Sequence, residues 1–244
     1  MRYILLVFIS FLFAADDKAP SHRTRDREID VHHIKIDVSV NLVSGSVYGN
    51  VVHTFSPLSS SLRSFRSEEH TSFNLDADDM TIRRVRMNDK DIKFDHSGGK
   101  LYITMDKAIG WKDTVNVRVD YTSFPTLGTF FIRPDEVYPD KPWQAWTQGE
   151  ETDNHHWVPI YDYPNDRSTF ETIITVDRSF KAVSNGELVS VVENGDGTHT
   201  WHWRENFPMV AYLISYVVGE YVKVEDSYKD IPVNYWVYEE NKNE

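Results

Sequence analysis

The stretch richest in reactive side chains is residues 147–171, TQGEETDNHHWVPIYDYPNDRSTFE. It holds the carboxylates Glu150, Glu151, Asp153, Asp162, Asp166 and Glu171, one strong base, Arg167, and the adjacent pair His155-His156. Two catalytic chemistries could use such a set. A carboxylate pair, for example Glu150 with Asp162, could serve as acid and base on a glycosidic bond, but nothing in the spacing fixes the separation that this needs. Histidines could ligate a metal. Neighbouring side chains on a strand face opposite ways, so neither His155-His156 nor His32-His33 should share an ion, and no third ligand stands at metal spacing. The expectation is surface or loop histidines and no metal site. Asp153, Asp162 and Asp166 read as turn caps and partners of Arg167.

The elements around this stretch must position it, and they read as strands. Ile34, Ile36, Val38, Val40 and Leu42 alternate with Lys35, Asp37, Ser39 and Asn41, a period of two with one buried face. A turn at Ser44-Gly45 and a second strand over 47–55 complete a hairpin. Further strands are expected over 80–87, 100–105, 114–122, 129–133, 170–177, 186–193, 198–204, 210–219, 220–225 and 231–238. Asn88-Asp89, Ser97-Gly98-Gly99, Asn185-Gly186 and Asn194-Gly195-Asp196-Gly197 supply turns that tolerate positive φ. No segment sustains a 3.6-residue period and no internal repeat is visible, so the class is all-β, a sandwich or a large curved sheet.

Composition narrows the function. The 244 residues, 40% hydrophobic, suffice for a sizeable core. A net charge of -12 argues against nucleic acid and against an anionic membrane surface, both of which are bound through Lys and Arg. Without cysteine there is no disulfide and no thiolate metal site. At the N-terminus Arg2, the apolar run Tyr3 to Phe13 and Ala14-Ala15 resemble a secretory signal, read as residues 1–15 and too short to anchor the chain in a bilayer. Secretion or periplasmic export follows from that reading, with no membrane contact once the signal is removed. Residues 16–30, charged and aperiodic, read as a flexible leader.

The order of motifs along the chain carries more. Leu75-Asp76-Ala77 is followed by Gly128-Thr129-Phe130-Phe131 and then by Thr147-Gln148-Gly149-Glu150. Asp153, Pro159, Asp162-Tyr163-Pro164, Arg167 and Phe170 come next, before Ser184-Asn185-Gly186-Glu187-Leu188. Pro208 to Ile214 and Val217 to Tyr221 close the series. Over residues 31–238 this order resembles the N-terminal β-domain of the aminopeptidase N family, the gluzincin-type zinc aminopeptidases (peptidase family M1). The resemblance implies a saddle-shaped, sandwich-like domain of curved sheets placed before a thermolysin-like catalytic domain, with residues 239–244 at the entrance to that domain. It also implies substrate-binding roles. In an extended segment Gln148 and Glu150 point the same way. Glu150 then anchors the cationic α-amine of a peptide N-terminus and Gln148 lines the first specificity pocket.

The departures matter too. The family's arginine falls on His155, its phenylalanine on Val158 and its cysteine on Ile160. Losing the arginine removes a bidentate carboxylate partner, which puts the packing of the loop in question. The family's zinc is held by H-E-x-x-H and its substrate backbone by a G-x-M-E-N loop. No histidine here precedes a glutamate, and no methionine does. Zinc is therefore expected only in a catalytic domain outside this sequence, no catalytic residue is assigned, and the chain alone is expected to be inactive. The competing reading is a stand-alone secreted β-sandwich module in which Trp143, Trp146, Trp157, Trp201 or Trp203 stack on peptide or carbohydrate.

One segment stands apart. Arg66 to Ser72, RSEEHTS, is polar and aperiodic where strand-turn-strand is expected, and it resembles the in-frame translation of a sequencing-adapter oligonucleotide. Removing it with one neighbouring Phe joins Leu62-Arg63-Ser64 to Phe73-Asn74-Leu75-Asp76-Ala77 in a smoother run. The expected outcome of amplifying and sequencing the locus from source DNA is a gene without these codons; recovering them intact ends the idea.

Overall fold

The computed structural model describes residues 25–58 and 70–243. The expected signal, most of the leader, and Arg66 to Glu69 lie outside the described residues. β1 (Ile29–Asn41) and β2 (Ser46–Pro57) form the expected hairpin. Ile34, Ile36, Val38, Val40 and Leu42 are all buried. So are Ile29 and Val31, which share the other parity, because the β1–β2 register shifts between Val31 and His33. A bulge there turns the strand over without exposing either apolar set.

β3 (His70–Asp76) begins inside the polar heptapeptide, with Thr71 and Ser72 exposed. β4 (Met80–Met87), β5 (Lys90–Asp91), β6 (Lys93–Ser97), β7 (Lys100–Ile109) and β8 (Val115–Ser123) follow. Next come β9 (Thr129–Ile132), β10 (Gln144–Thr147) and a single 3-10 turn, η1 (Asn154–His156). The chain continues through β11 (Ser168–Asp177), β12 (Lys181–Ser184), β13 (Glu187–Glu193) and β14 (Thr198–Met209). The strand expected over 210–219 is divided: a 3-10 turn, η2 (Ala211–Leu213), precedes β15 (Tyr216–Gly219). A hairpin of β16 (Tyr221–Tyr228) and β17 (Ile231–Tyr238) and a last 3-10 turn, η3 (Glu239–Asn241), complete the described residues.

The strands form an eight-stranded sheet in the order β13-β14-β11-β1-β2-β8-β4-β5, a four-stranded sheet β12-β15-β10-β9, a three-stranded sheet β3-β7-β6, and the β16-β17 pair. In the large sheet β1 runs parallel to β11 and antiparallel to β2. Aromatic side chains join the sheets. Phe55 of β2 meets Phe73 of β3 at 4.7 Å between ring centres. Trp203 of β14 donates its indole N–H to the Ala182 carbonyl at 2.9 Å, and Trp201 meets Trp236 of the hairpin edge-on. Tyr221 and Tyr238 both donate to Gln144 Oε1, tying the hairpin to β10.

One expectation changes, and the competing reading of the tryptophans loses its support. The end of the leader is not loose, because Arg25 binds Asp76 and Asn74 while Arg27 binds Asp30, Asp166 and the Asn165 carbonyl. The tryptophans are not a stacking platform, since Trp157, Trp201 and Trp203 are buried and Trp146 stacks on Phe130.

His53 of β2 is fully buried, and its Nε2–H donates to the Pro159 carbonyl at 2.9 Å. Burial lowers its pKa to about 4 in spite of that bond. The unfolded chain therefore binds a proton near pH 6.5 that the folded chain refuses until about pH 4, and stability falls as pH drops through that window. His33, also lowered by burial, acts in the same direction, whereas His155, raised overall, acts in the opposite one. Comparing the wild type with His53→Gln isolates the contribution of His53. Between pH 7 and 4.5 the wild type should lose about 2–3 kcal/mol more than the variant, read from denaturant midpoints. Parallel pH profiles would refute this.

Candidate functional site

The candidate site is the loop from Gln148 to Arg167, which leaves β10 and returns at β11. The peptide N–H of Gln148 donates to the Gly128 carbonyl at 3.0 Å, just before β9. The next residue, Gly149, is buried; a Cβ there would lie 2.5 Å from the Tyr212 carbonyl oxygen and 2.7 Å from the Asn154 amide. Gly128, at φ +72°, is under the same constraint, since a Cβ would lie 1.9 Å from the Asp153 carbonyl oxygen. Two glycines thus let the turn pack backbone against backbone. Asp153 N–H closes the turn on the Gly149 carbonyl at 2.9 Å.

Asn154 then fixes the turn to the rest of the domain. It is fully buried, donates to the Ala211 carbonyl at 2.7 Å and the Ile214 carbonyl at 3.0 Å, and accepts the Trp157 indole N–H at 2.8 Å. These bonds explain why 210–219 is not one strand: η2 turns its carbonyls toward Asn154 instead of toward a neighbouring strand. Trp157 packs edge-on against Tyr216, with 5.1 Å between ring centres. Further on, Ile160 exchanges both backbone bonds with Asp76, at 2.7 and 3.0 Å.

His155 occupies the position where the resembled pattern has arginine, and it still finds a carboxylate. Asp162 Oδ2 accepts both the His155 peptide N–H and its ring Nδ1–H at 3.0 Å. Burial disfavours the charged ring, but Asp162, Asp76 and Asp78 outweigh it and raise the pKa. The loop is therefore packed without the arginine. His156 Nδ1 donates to Asp79 Oδ2 at 2.8 Å. The assumption that His155 and His156 face opposite ways fails, because they lie in η1 and not in a strand: their rings are 4.5 Å apart and tilted by 32°. Together with Asp78 they form the one group of three metal-type ligands among the described residues. Sequence spacing missed it because Asp78 comes from the β3–β4 connection. His32 and His33 do separate, toward Ser56 and Thr169 respectively.

The carboxylates sort themselves. Asp162 and Asp166 are buried; Asp166 pairs with Arg27, not with the Arg167 side chain, and accepts the Arg167 and Val31 peptide N–H groups. Glu171 is buried between Arg204, His202 and Lys35, which overcome its desolvation and hold its carboxyl at about 2. With Asp162 committed to His155, the Glu150–Asp162 acid–base pair has no support. Gln148, Glu150 and Glu151 are exposed, and neither glutamate has a hydrogen bond or ion pair among the described residues. Residues 150–153 form a turn and not an extended segment, so alternation does not separate Glu150 from Glu151.

The chain belongs to the Peptidase M1 N-terminal domain family, which matches residues 31–213. It is 24% identical over 202 residues to leucine aminopeptidase 2 of Vanderwaltozyma polyspora, covering 80% of this chain and 29% of that protein. It is 23% identical over 211 residues to leukotriene A-4 hydrolase of Xenopus laevis, covering 82% and 33%. The chain thus spans about a third of these relatives' lengths. Its fold matches the M1 zinc metallopeptidase of Deinococcus radiodurans, solved as an E323A mutant bound to Tyr-ser-ala, with TM-score 0.69 and 20% identity over 82% of this chain and 44% of that one.

Asn154→Ala would leave the Ile214 carbonyl and the Trp157 indole N–H without their partner and the Ala211 carbonyl with only the Ile214 peptide N–H. The expected cost is about 2–4 kcal/mol, read as a lower denaturant midpoint. A change under about 0.5 kcal/mol would show that Asn154 is not what holds the turn.

Proposed function

We propose that this chain is the substrate-amine-binding domain of a secreted zinc aminopeptidase, which releases N-terminal residues from peptides when the domain is joined to its catalytic partner. The observation that carries the reading is Glu150: a carboxylate without a partner among the described residues, on a turn whose backbone is held by Gly149, Asn154 and Gly128. Such a group is ready to pair with a ligand's ammonium, and the rigid turn sets its distance from whatever lies beyond. Gln148, exposed on the same turn, lines the first side-chain pocket in this reading. Support comes from relatives named as aminopeptidases and from the Tyr-ser-ala held by a protein of the same fold. Secretion rests on the signal-like residues 1–15 alone, and the domain itself is taken as 31–238.

The residues present do not fit the family's catalytic zinc. H-E-x-x-H is absent, and the Asp78, His155, His156 group sits on a 3-10 turn and a strand connection, with no glutamate in it to activate water. Chemistry at the scissile bond is therefore assigned to a separate catalytic domain. This domain's share is binding and orientation: Glu150 holds the amine, and the turn sets the register of the peptide.

The test joins residues 16–244 to an M1 catalytic domain and follows amino-acid anilide hydrolysis. The chain alone should leave the substrate intact. In the joined enzyme Glu150→Ala strands the substrate ammonium. Removing one partner of a closed charge pair costs roughly 2–5 kcal/mol, or about 30- to 5,000-fold in kcat/KM. A second glutamate beside the amine, as the family's G-x-M-E-N loop supplies, favours the lower part, about 30- to 400-fold. Glu151→Ala should change little, because the resembled Gln-x-Glu pattern assigns the amine to Glu150. Since both glutamates are exposed, the comparison decides between them, and an unaffected Glu150→Ala enzyme would sink the assignment.

A further inference from the structure

Asp78, His155 and His156 bring one ligand atom each to within 4.8 Å of one another. We propose that these three side chains form a binding site for a divalent transition-metal ion of the zinc type, independent of any catalytic zinc. The geometry is that of a ligand set already oriented. His155 Nε2 lies 3.3 Å from Asp78 Oδ2. Two ligands at zinc distance in a tetrahedron lie about 3.3 Å apart. Both imidazoles give their Nδ1–H to a carboxylate, His155 to Asp162 and His156 to Asp79. That is the outer-shell arrangement which fixes the tautomer, leaves Nε2 as the ligand atom and raises its basicity. Among the described residues Nε2 of His156 has no hydrogen-bond partner.

The surroundings favour a cation. Asp78 and His155 line a cavity of about 320 Å3 together with Asp76 and Asp162. Asp162 is buried and its Oδ1 has no partner among the described residues. Arg25 and Lys100, the cations lining the same cavity, are both held by Asp76. Two imidazoles and one carboxylate, with solvent in the remaining positions, select zinc, cobalt or nickel over magnesium, which requires oxygen ligands. The ion would join η1 to the β3–β4 connection five residues from Glu150, and so clamp the exposed turn.

The test uses the untagged full chain, stripped with chelator and titrated with zinc chloride. One equivalent should bind. The His155 and His156 ring resonances should move together in the NMR spectrum while those of His33 and His53 stay fixed. The melting temperature should rise by about 5–10 °C at a hundredfold excess over Kd, and magnesium should do nothing. Asp78→Asn and His156→Gln should each weaken binding at least about tenfold. No heat of binding at millimolar zinc, movement of other histidine resonances instead, or an unchanged affinity in Asp78→Asn would overturn the proposal. The resonance measurement is made on the unmutated chain, so it decides the matter even if a variant fails to fold.

Discussion

One buried carboxylate, Asp76, holds together the end of the domain that carries the candidate site. Only 6% exposed, it exchanges two backbone bonds with Ile160. Its side chain accepts from Arg25, Lys100 and the peptide N–H of Asp162. Desolvating a carboxylate costs more than one ion pair returns unless further hydrogen bonds fill its lone pairs. Here two cations and a backbone donor do so, and despite burial they hold its carboxyl below the usual range. The three donors come from the segment before β1, from the start of β7 and from the site loop. A single ionised group therefore ties the segment before β1 and the site loop to the β3–β7 ladder, in which Asp76 and Lys100 are partners.

Order passes from Asp76 along the loop in steps. Asp162, docked by its N–H on Asp76, presents Oδ2 to both donors of His155. His155 begins where Asn154 ends, and Asn154 ties the turn to η2 and to Trp157. Irregular backbone has no ladder to satisfy its polar groups, so side chains must do it. This explains the density of Asp, Asn and His in a stretch that could be mistaken for a catalytic cluster. Most of these groups are occupied in holding the loop's shape.

The sheets were legible because burial and alternation coincide over most of β1, β2, β8 and β11. Strands that alternate poorly were missed for a physical reason: β5 and β6 are short and exposed, and their Lys and Asp residues give no period. The interruption before β15 was hidden because its cause, Asn154, lies far away in sequence. The leader looked loose because Arg25 and Arg27 sit in a charged run, and a charged run does not disclose carboxylates waiting near Asn74 and Asn165. At the site the Thr-Gln-Gly-Glu motif singled out Gln148 and Glu150, and the fold leaves both exposed. The approach of Asp78 to His155 and His156 was beyond reach, since it depends on a 3-10 turn placed in an otherwise β pattern.

The distribution of partners among the loop's acids separates scaffold from recognition. A buried carboxylate must be paired, because an isolated ion in a low-dielectric interior is too costly to persist. Asp162, Asp166 and Glu171 obey that rule, each with named donors. Glu150 and Glu151 stand outside it. Their backbone is held on both sides, yet their side chains meet solvent, so there is little entropy left to lose in the turn itself when a cation arrives. In water each carboxylate keeps its hydration and gains little from a distant charge. Covering the turn with another surface would change that balance, because excluding water strengthens the attraction of Glu150 for an ammonium group. Under the proposed function, selectivity for a free amine would belong neither to this turn alone nor to the surface that closes over it, but to the cleft formed between them.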